Sequence, residues 1–548
     1  LGALLVLFGV HAQNETGTIE GVITKSTTAA PVEGAEVTAV LDGADLVRST
    51  RTDANGHYTF SGLVAGRYGV LVRRDGYLPG PGLGDYVSTA VDVATGKRAA
   101  ANFTLIQAAS LSGRLLDSQG NPERGALLEA LRIGYDRFGE RLWKVVTVVS
   151  TGNSGEYRFE SLFPDEYYLR ASRGNLSQTP GPSANGGELY YPGSVNAAGA
   201  TSIALREGEQ RVADFSGDFQ KGYSITGRVA CAIPGMDRLP RTELTLLPRY
   251  VGAPAETIQG RPLIQLREGS DGRFQISGVV PGFYELSAVA RIRGATGDDV
   301  TYVSTTAIQI SDQDAEASAL TLQPGVEVRG RLIADAQGQN LRLAGAIRGL
   351  GLERVQNSLV PSLMRRDGLG GPFRAVVDDA GTSYRFSNVP PGAYVISANS
   401  LMMAPAYLTE VLSRNAYEGG ILVGSESVFA DLVVNSDGGT IEGTVRDTQD
   451  NTVQLVLVPA AQYRNKPFAY RTAALVTSSG SFKMTGVPPG HYTLFARDAK
   501  DTSQPFMNAD YVARHVDRGV LVSVRKNSTT TGIVVERIPD GTPWRLSE

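Results

Sequence analysis

The chain has 548 residues, a hydrophobic content of 42% and a net charge of −4 with both signs interspersed. That length and composition call for several packed domains, not one core or a disordered tract, and the near-balanced charge excludes a nucleic-acid footprint or attraction to an acidic membrane surface. The one cysteine, Cys231, excludes an intrachain disulfide and a cysteine-based zinc cluster.

In chain order, Leu1 to Val10 is an apolar run too short for the roughly 20 residues a spanning helix needs. Val10-His11-Ala12 follows as a small-residue cleavage context, so residues 1–12 read as the remnant of a secretory signal, with a buried first strand as the alternative. The expected location is exported: extracellular, cell-surface or periplasmic. No later segment has spanning length.

From there one pattern recurs five times. Each copy opens with a β-run holding a glycine: Thr18 to Ile23 around Gly21, then Gly113, Gly227, Gly330 and Gly443 in equivalent runs. Each continues through an alternating aromatic strand, as in His57-Tyr-Thr-Phe60, Glu156-Tyr-Arg-Phe159, Arg273-Phe-Gln-Ile276, Tyr384-Arg-Phe386 and Ser481-Phe-Lys-Met484. A turn and a tyrosine follow: Tyr68, Tyr167, Tyr284, Tyr394 and Tyr492. The period places units at 13–108, 109–221, 222–325, 326–438 and 439–548, each the size of a single β-sandwich.

Period-2 alternation puts Tyr58 and Phe60 on one face and His57 and Thr59 on the other. Pro281-Gly282, Pro391-Gly392 and Pro489-Gly490 suit positions i+1 and i+2 of a type II turn. The tyrosine after the turn is expected to pack its ring inward and to bond the turn with its hydroxyl, as tyrosine corners do. Leu408 to Ala416 is the one stretch that reads as a short helix. The fold class is all-β, a tandem array of about five sandwiches.

Residues Gly21-Val-Ile23, Pro31 to Val37, Thr52 to Phe60 and Leu63 to Tyr68 resemble the carboxypeptidase regulatory-like domain, a transthyretin-like sandwich similar to Cna-B repeats. The second unit echoes it in Asn121 to Ala126, whereas units three to five keep only the opening strand and the tyrosine hairpin. The resemblance implies a fold and carries no chemistry of its own.

Zinc-peptidase chemistry needs a histidine and a carboxylate a short step apart plus a distant second histidine. The chain has four histidines. His11 lies in the expected signal, and His57, His491 and His515 lack a glutamate three residues on. No Gly-x-Ser-x-Gly elbow precedes a helix, and the glycine-rich stretches at 80–84 and 368–371 lack the lysine of a phosphate cradle. Asp53, Asp271 and Asp379 precede the glycine of one turn in three copies, which points to turn chemistry over calcium binding. No metal and no cofactor is expected.

Cna-B-like domains carry lysine–asparagine crosslinks, and Lys25 with Asn102 is the conceivable pair here. The loop aromatics Tyr190, Tyr191, Tyr86 and Tyr77 are the candidate contacts for a glycan or a partner, because planar rings stack on sugar faces; capping of their own unit's core is the alternative. The expected function is non-enzymatic: an exported rod of sandwiches for surface assembly or adhesion, with filament formation through paired strand edges as one form. A carbohydrate-binding array is the other reading. The expected partners are further copies of the chain, or surface glycans and proteins.

Overall fold

The structure is a computed structural model that describes residues 16–43, 46–78, 87–173, 187–249, 264–293, 299–334, 342–343, 358–367, 373–400, 406–446, 453–475, 480–498 and 504–538. The expected signal at 1–12 and Tyr86 lie outside them. The fold is all-β, built as a series of two-sheet sandwiches. Five main hydrophobic clusters form the cores, centred in turn on Ile19 to Leu105, Ala109 to Phe215, Ile225 to Leu322, Val328 to Val434 and Ile441 to Val535.

The first unit shows the plan. Its strands are β1 (Gly17–Lys25), β2 (Glu36–Leu41), β3 (Val47–Arg51), β4 (His57–Leu63), β5 (Gly66–Arg73), β6 (Tyr77–Leu78), β7 (Val87–Val93), β8 (Arg98–Ala100) and β9 (Phe103–Gln107). One sheet has the order β4-β1-β9-β6 with β8 also beside β1, and the other β3-β2-β5-β7. The alternation on β4 buries Tyr58, Phe60 and Leu63 and leaves His57 and Thr59 outside, as period 2 requires. Strands β1 and β9 run parallel, so the chain enters and leaves the unit in the same direction.

The opening glycine is required by that parallel crossing. A Cβ on Gly21 would overlap the carbonyl oxygen of Ala101, which sits between β8 and β9. Gly113 meets Ala213, Gly330 meets Ala430 and Gly443 meets Ile533 in the same way, whereas Gly227 is crowded by the Phe274 ring and Ala317. The Ala101 amide donates to the Glu20 carbonyl at 2.9 Å, and Ala213, Ala317 and Ala430 repeat the bond to Ser112, Thr226 and Arg329. The hydroxyl of Tyr58 then donates to the Ala101 carbonyl at 2.6 Å, Tyr157 to Ala213, and Tyr384 to Ala430 at 2.5 Å. Burial pushes the pKa of all three hydroxyls up, so they stay protonated donors. A side chain one residue further on closes the device: Asn102 accepts from Val22 N, Asp214 from Arg114 N and Asp431 from Arg331 N.

The tyrosine corner is present in every unit. Tyr68, Tyr167, Tyr284, Tyr394 and Tyr492 each donate to the carbonyl four residues earlier, on Val64, Phe163, Val280, Pro390 and Pro488, at 2.7–3.0 Å. The turn before it differs from the type II expectation. Gly282 and Gly490 do not have positive φ, and Gly392 stands at 155°, against roughly +80° for that turn. The left-handed residue lies six positions before the tyrosine: Gly62, Ser161, Gly278, Asn388 and Gly486, with φ of 57–77°. There the register slips. Gly17 faces Leu63 and Ile19 faces Phe60, so two residues oppose Thr18 alone, and each of the other units repeats the slip. It is a β-bulge with its left-handed residue, which re-aims the strand into the corner.

Two further expectations change. The 408–416 stretch is not helical: Tyr407–Leu412 is a strand whose apolar residues pair with Asp431–Asn435. The one α-helix among the described residues is α1 (Ala509–Arg514). Unit five also departs from the plan, because Thr529–Ile538 is one long strand pairing with both Gly439–Arg446 and Gly490–Asp498, which joins its two sheets into one path.

The crossing makes two substitutions unequal in kind. Gly21→Ala forces β9 away from β1 and is expected to cost about 3 kcal/mol, at the upper end of ordinary overpacking. Tyr58→Phe leaves the Ala101 carbonyl short of a donor and is expected to cost about 1–3 kcal/mol. Native-state hydrogen exchange in the full chain should show lost protection confined to strands of the first unit for both.

Candidate functional site

The second unit carries the features that most resemble a site. Its strands are β10 (Ala109–Leu116), β11 (Leu127–Tyr135), β12 (Arg141–Ser150), β13 (Glu156–Leu162), β14 (Asp165–Ser172), β15 (Glu188–Tyr190), β16 (Ile203–Leu205), β17 (Gln210–Val212) and β18 (Phe215–Ser216). An open cleft of about 630 Å³ lies over β10 and β13, lined by Ser112, Arg114, Glu156, Tyr157, Arg158 and Asp214 among others. Three of its charged side chains are engaged locally. Asp214 accepts from Arg114 N, Glu156 from the amide and hydroxyl of Ser154, and Arg158 pairs with Glu160. The Ser154 bonds hold the Glu156 carboxyl below its ordinary pKa. The Tyr157 hydroxyl is committed to Ala213. Such a cleft can lodge a polar group beside these side chains.

On the far face of the other sheet, Arg170 lies buried between two carboxylates. Its Nε donates to Glu129 at 2.6 Å and its Nη1 lies 3.4 Å from Glu188. Glu188 also accepts from the Tyr190 hydroxyl at 2.6 Å. Tyr190 is 1% exposed and packs with Leu131, Trp143 and Ala197 in a second, smaller core. Tyr191 is half-buried, with its ring edge-on to Phe215 at 5.9 Å. The surface platform expected at Tyr190 and Tyr191 is therefore absent: the loop folds back, and both rings cap their own unit, because ring burial and a carboxylate partner for the hydroxyl outweigh exposure. Tyr77 is half-buried beneath Lys25, whose Nζ stands 5.8 Å from the ring centre.

The Lys25–Asn102 crosslink is not assembled. Asn102 Oδ1 is taken by Val22 N at 2.9 Å, and Lys25 reaches the Gln107 side chain at 3.5 Å. The described histidines stand apart from one another. His57 is an exposed strand residue, His491 meets Ser523 at 2.9 Å, and His515 stacks on Tyr511. Among the described residues no group of three His, Cys, Asp or Glu side chains is placed to hold a metal ion. The turn aspartates behave as turn chemistry demands: Asp53 accepts from Asn55 N and His57 N, and Asp271 from Arg273 N. In unit four Asp378, not Asp379, takes the role, accepting from Thr382 N at 2.7 Å and Ser383 N at 3.0 Å. Those bonds, the one from Ser383 foremost, lower its carboxyl pKa to about 2.

The junctions between units are the other organised polar sites, and the sequence did not reveal them. Between units one and two, Glu207 accepts from Ser26 Oγ (2.7 Å), Thr27 Oγ1 (2.6 Å) and Gln107 N (2.9 Å). Partial burial works to raise its pKa, but these bonds outweigh it and hold the carboxyl low. Between units three and four, the bulge residue Asn388 accepts from Gly325 N at 2.7 Å and donates to the Thr301 carbonyl at 3.0 Å. Between units four and five, Asp437 joins the Tyr407 hydroxyl (2.6 Å) and Lys526 (2.8 Å). These contacts hold neighbouring units close to one another, and unit two also meets units four and five directly, through Arg137 with Met364 and Asn508 with Gly139.

Residues 18–106 match the family model described as the carboxypeptidase regulatory-like domain. The first unit is thus similar to that domain. Its glycine crossing, bulge and tyrosine corner are the features that the other units repeat. No curated protein matches the chain. Among solved structures, the TIE protein of Bacillus anthracis is 12% identical with a TM-score of 0.18, over 56% of this chain and 50% of that one. The minor pilin GBS52 of Streptococcus agalactiae is 14% identical with a TM-score of 0.20, over 36% of this chain and 94% of that one. The major pilin SpaD of Corynebacterium diphtheriae is 10% identical with a TM-score of 0.17, over 56% and 97%. The match thus spans half the length of the TIE protein.

Two outcomes test this placement of side chains. Tyr190→Ala should destabilise unit two by about 3–5 kcal/mol, as removal of a buried ring does, measured by loss of exchange protection on β14 and β15; a change without effect on stability would return the ring to the surface. Asp378→Ala should weaken unit four at neutral pH. The carboxyl pKa is depressed on folding, so its contribution is complete above the unfolded value of about 4. The gap between the two proteins, followed by acid titration of stability, should close as pH falls through about 2.

Proposed function

We infer that the chain is a non-enzymatic structural protein of an exported or surface-exposed kind, an array of sandwiches whose task is to hold a defined shape and present surfaces. The observation that carries this reading is where the recurring polar groups go. The corner tyrosines, the Tyr58-type hydroxyls, the Asn102-type side chains and the turn aspartates are all bonded to backbone carbonyls or amides. What repeats is therefore the means of folding. Between units the polar side chains are again used to join sandwiches, as Glu207, Asn388 and Asp437 show. No helix among the described residues is long and apolar enough to cross a membrane.

Self-assembly into a filament is the finer form of this proposal, since open sheets offer edge strands that pair between copies. β3, at the edge of its sheet, is mostly exposed along its length. Light scattering across a concentration series, with negative-stain imaging of the same samples, should give growing assemblies of regular width. A strictly monomeric chain at all concentrations would remove the filament form and leave the monomeric scaffold. Protease shaving of intact cells producing the chain should release its fragments; full protection would overturn the surface placement.

A further inference from the structure

Strands β11 and β12 outrun their sheet. β11 pairs with β14 only from Leu127 to Leu131, yet its ladder with β12 continues to Tyr135 opposite Arg141. Beyond Leu131 the hairpin is a two-stranded arm. Its tip is fixed internally, because Asp136 Oδ1 accepts from Phe138 N and Glu140 N at 2.8 Å each.

The tip is seated on unit five. Gln504 N donates to the Asp136 carbonyl at 2.9 Å, Asn508 Nδ2 donates to the Gly139 carbonyl at 3.0 Å, and the rings of Tyr135 and Tyr511 meet edge to face at 5.3 Å. Unit four adds the Arg366 guanidinium, 5.9 Å from the Phe138 ring centre, and Met364, whose sulfur accepts from Arg137 at 2.8 Å. The fit is close enough that a Cβ on Gly139 would stand 2.7 Å from the Met507 backbone.

The seat is also built on its own. Asn508 Oδ1 caps α1 by accepting from Tyr511 N at 3.1 Å, and Phe506 and Val512 pack with Val456, Val458 and Phe495. No hydrophobic cluster among the described residues combines unit two with unit five. Tip and seat are each built from contacts of their own, and what joins them is small, two hydrogen bonds and one aromatic edge contact, like the domain contacts that open and close.

We propose that the arm is a releasable clasp. Seated, it ties unit two to units four and five and folds the array back on itself; released, it lets the array extend from its inter-unit linkers. The occupant of the unit-five seat is the tip of the same chain. This goes beyond the structural role above, since a fixed scaffold needs no second shape.

Small-angle scattering of the full chain tests it with two variants. Gly139→Asn keeps a residue that tolerates the left-handed turn while placing a Cβ against Met507, and Tyr511→Ala empties the seat without touching the hairpin. Each is expected to increase the maximum dimension by at least about 20 Å, a strand length, with hydrogen-exchange protection of the five cores unchanged. Wild-type dimensions in both variants would overturn the clasp, as would a loss of core protection in both, which would make the contact part of folding. A wild-type chain that dimerises with concentration, and loses the dimer in both variants, would overturn the seating of each tip on its own chain.

Discussion

The parallel crossing of opening and closing strands is the constraint on which the rest of the molecule depends. Where β9 passes β1, the backbone of Ala101 lies against Gly21 so closely that no side chain fits between them. The approach leaves a carbonyl at the point of contact, and Tyr58 reaches it from β4 across the same sheet. One glycine, one hydroxyl and one amide side chain thereby tie three strands together. The crossing also sets direction: a chain that enters on β1 and leaves on a parallel β9 has its entrance and exit pointing the same way. Successive units are strung onward, and a contact from unit two back to unit five requires turning at the linkers between them.

Departures from the plan occur where units meet. The bulge residue is glycine or serine in four units, where only its left-handed backbone is used, but Asn388 in unit four adds a side chain that spans to Thr301. Asparagine tolerates that backbone, so one position meets both demands. Unit five trades the interrupted closing strand for a continuous one and carries the 504–518 insertion that receives the arm. In unit two, a buried arginine between two glutamates fixes the loop that carries Tyr190. A buried charge group of this kind adds little net stability, but it fixes where the loop lies.

Much of each unit was legible in the residues. The alternation of Tyr58 and Phe60, the inward tyrosine after the turn and the aspartate that bonds the next amides all follow from local rules, and the structure has them. The Pro-Gly reading failed because a bulge depends on the partner strand: the slip between β1 and β4 demands a left-handed residue at Gly62 and its counterparts. A signal for the closing device was present, since Ala101-Asn102, Ala213-Asp214 and Ala430-Asp431 recur, but its meaning lay in strands about 80–100 residues away.

The sequence alone determined the all-β class, the fivefold repeat and the tyrosine corners, because side-chain alternation and turn chemistry act between residues a few positions apart. Only the tertiary structure decided that Tyr190 is core, that Lys25 and Asn102 have separate partners, and that the β11–β12 arm meets Asn508. These contacts join residues that are near only after strands have paired and units have docked. Their partners are chosen by burial and shape, which no local pattern encodes.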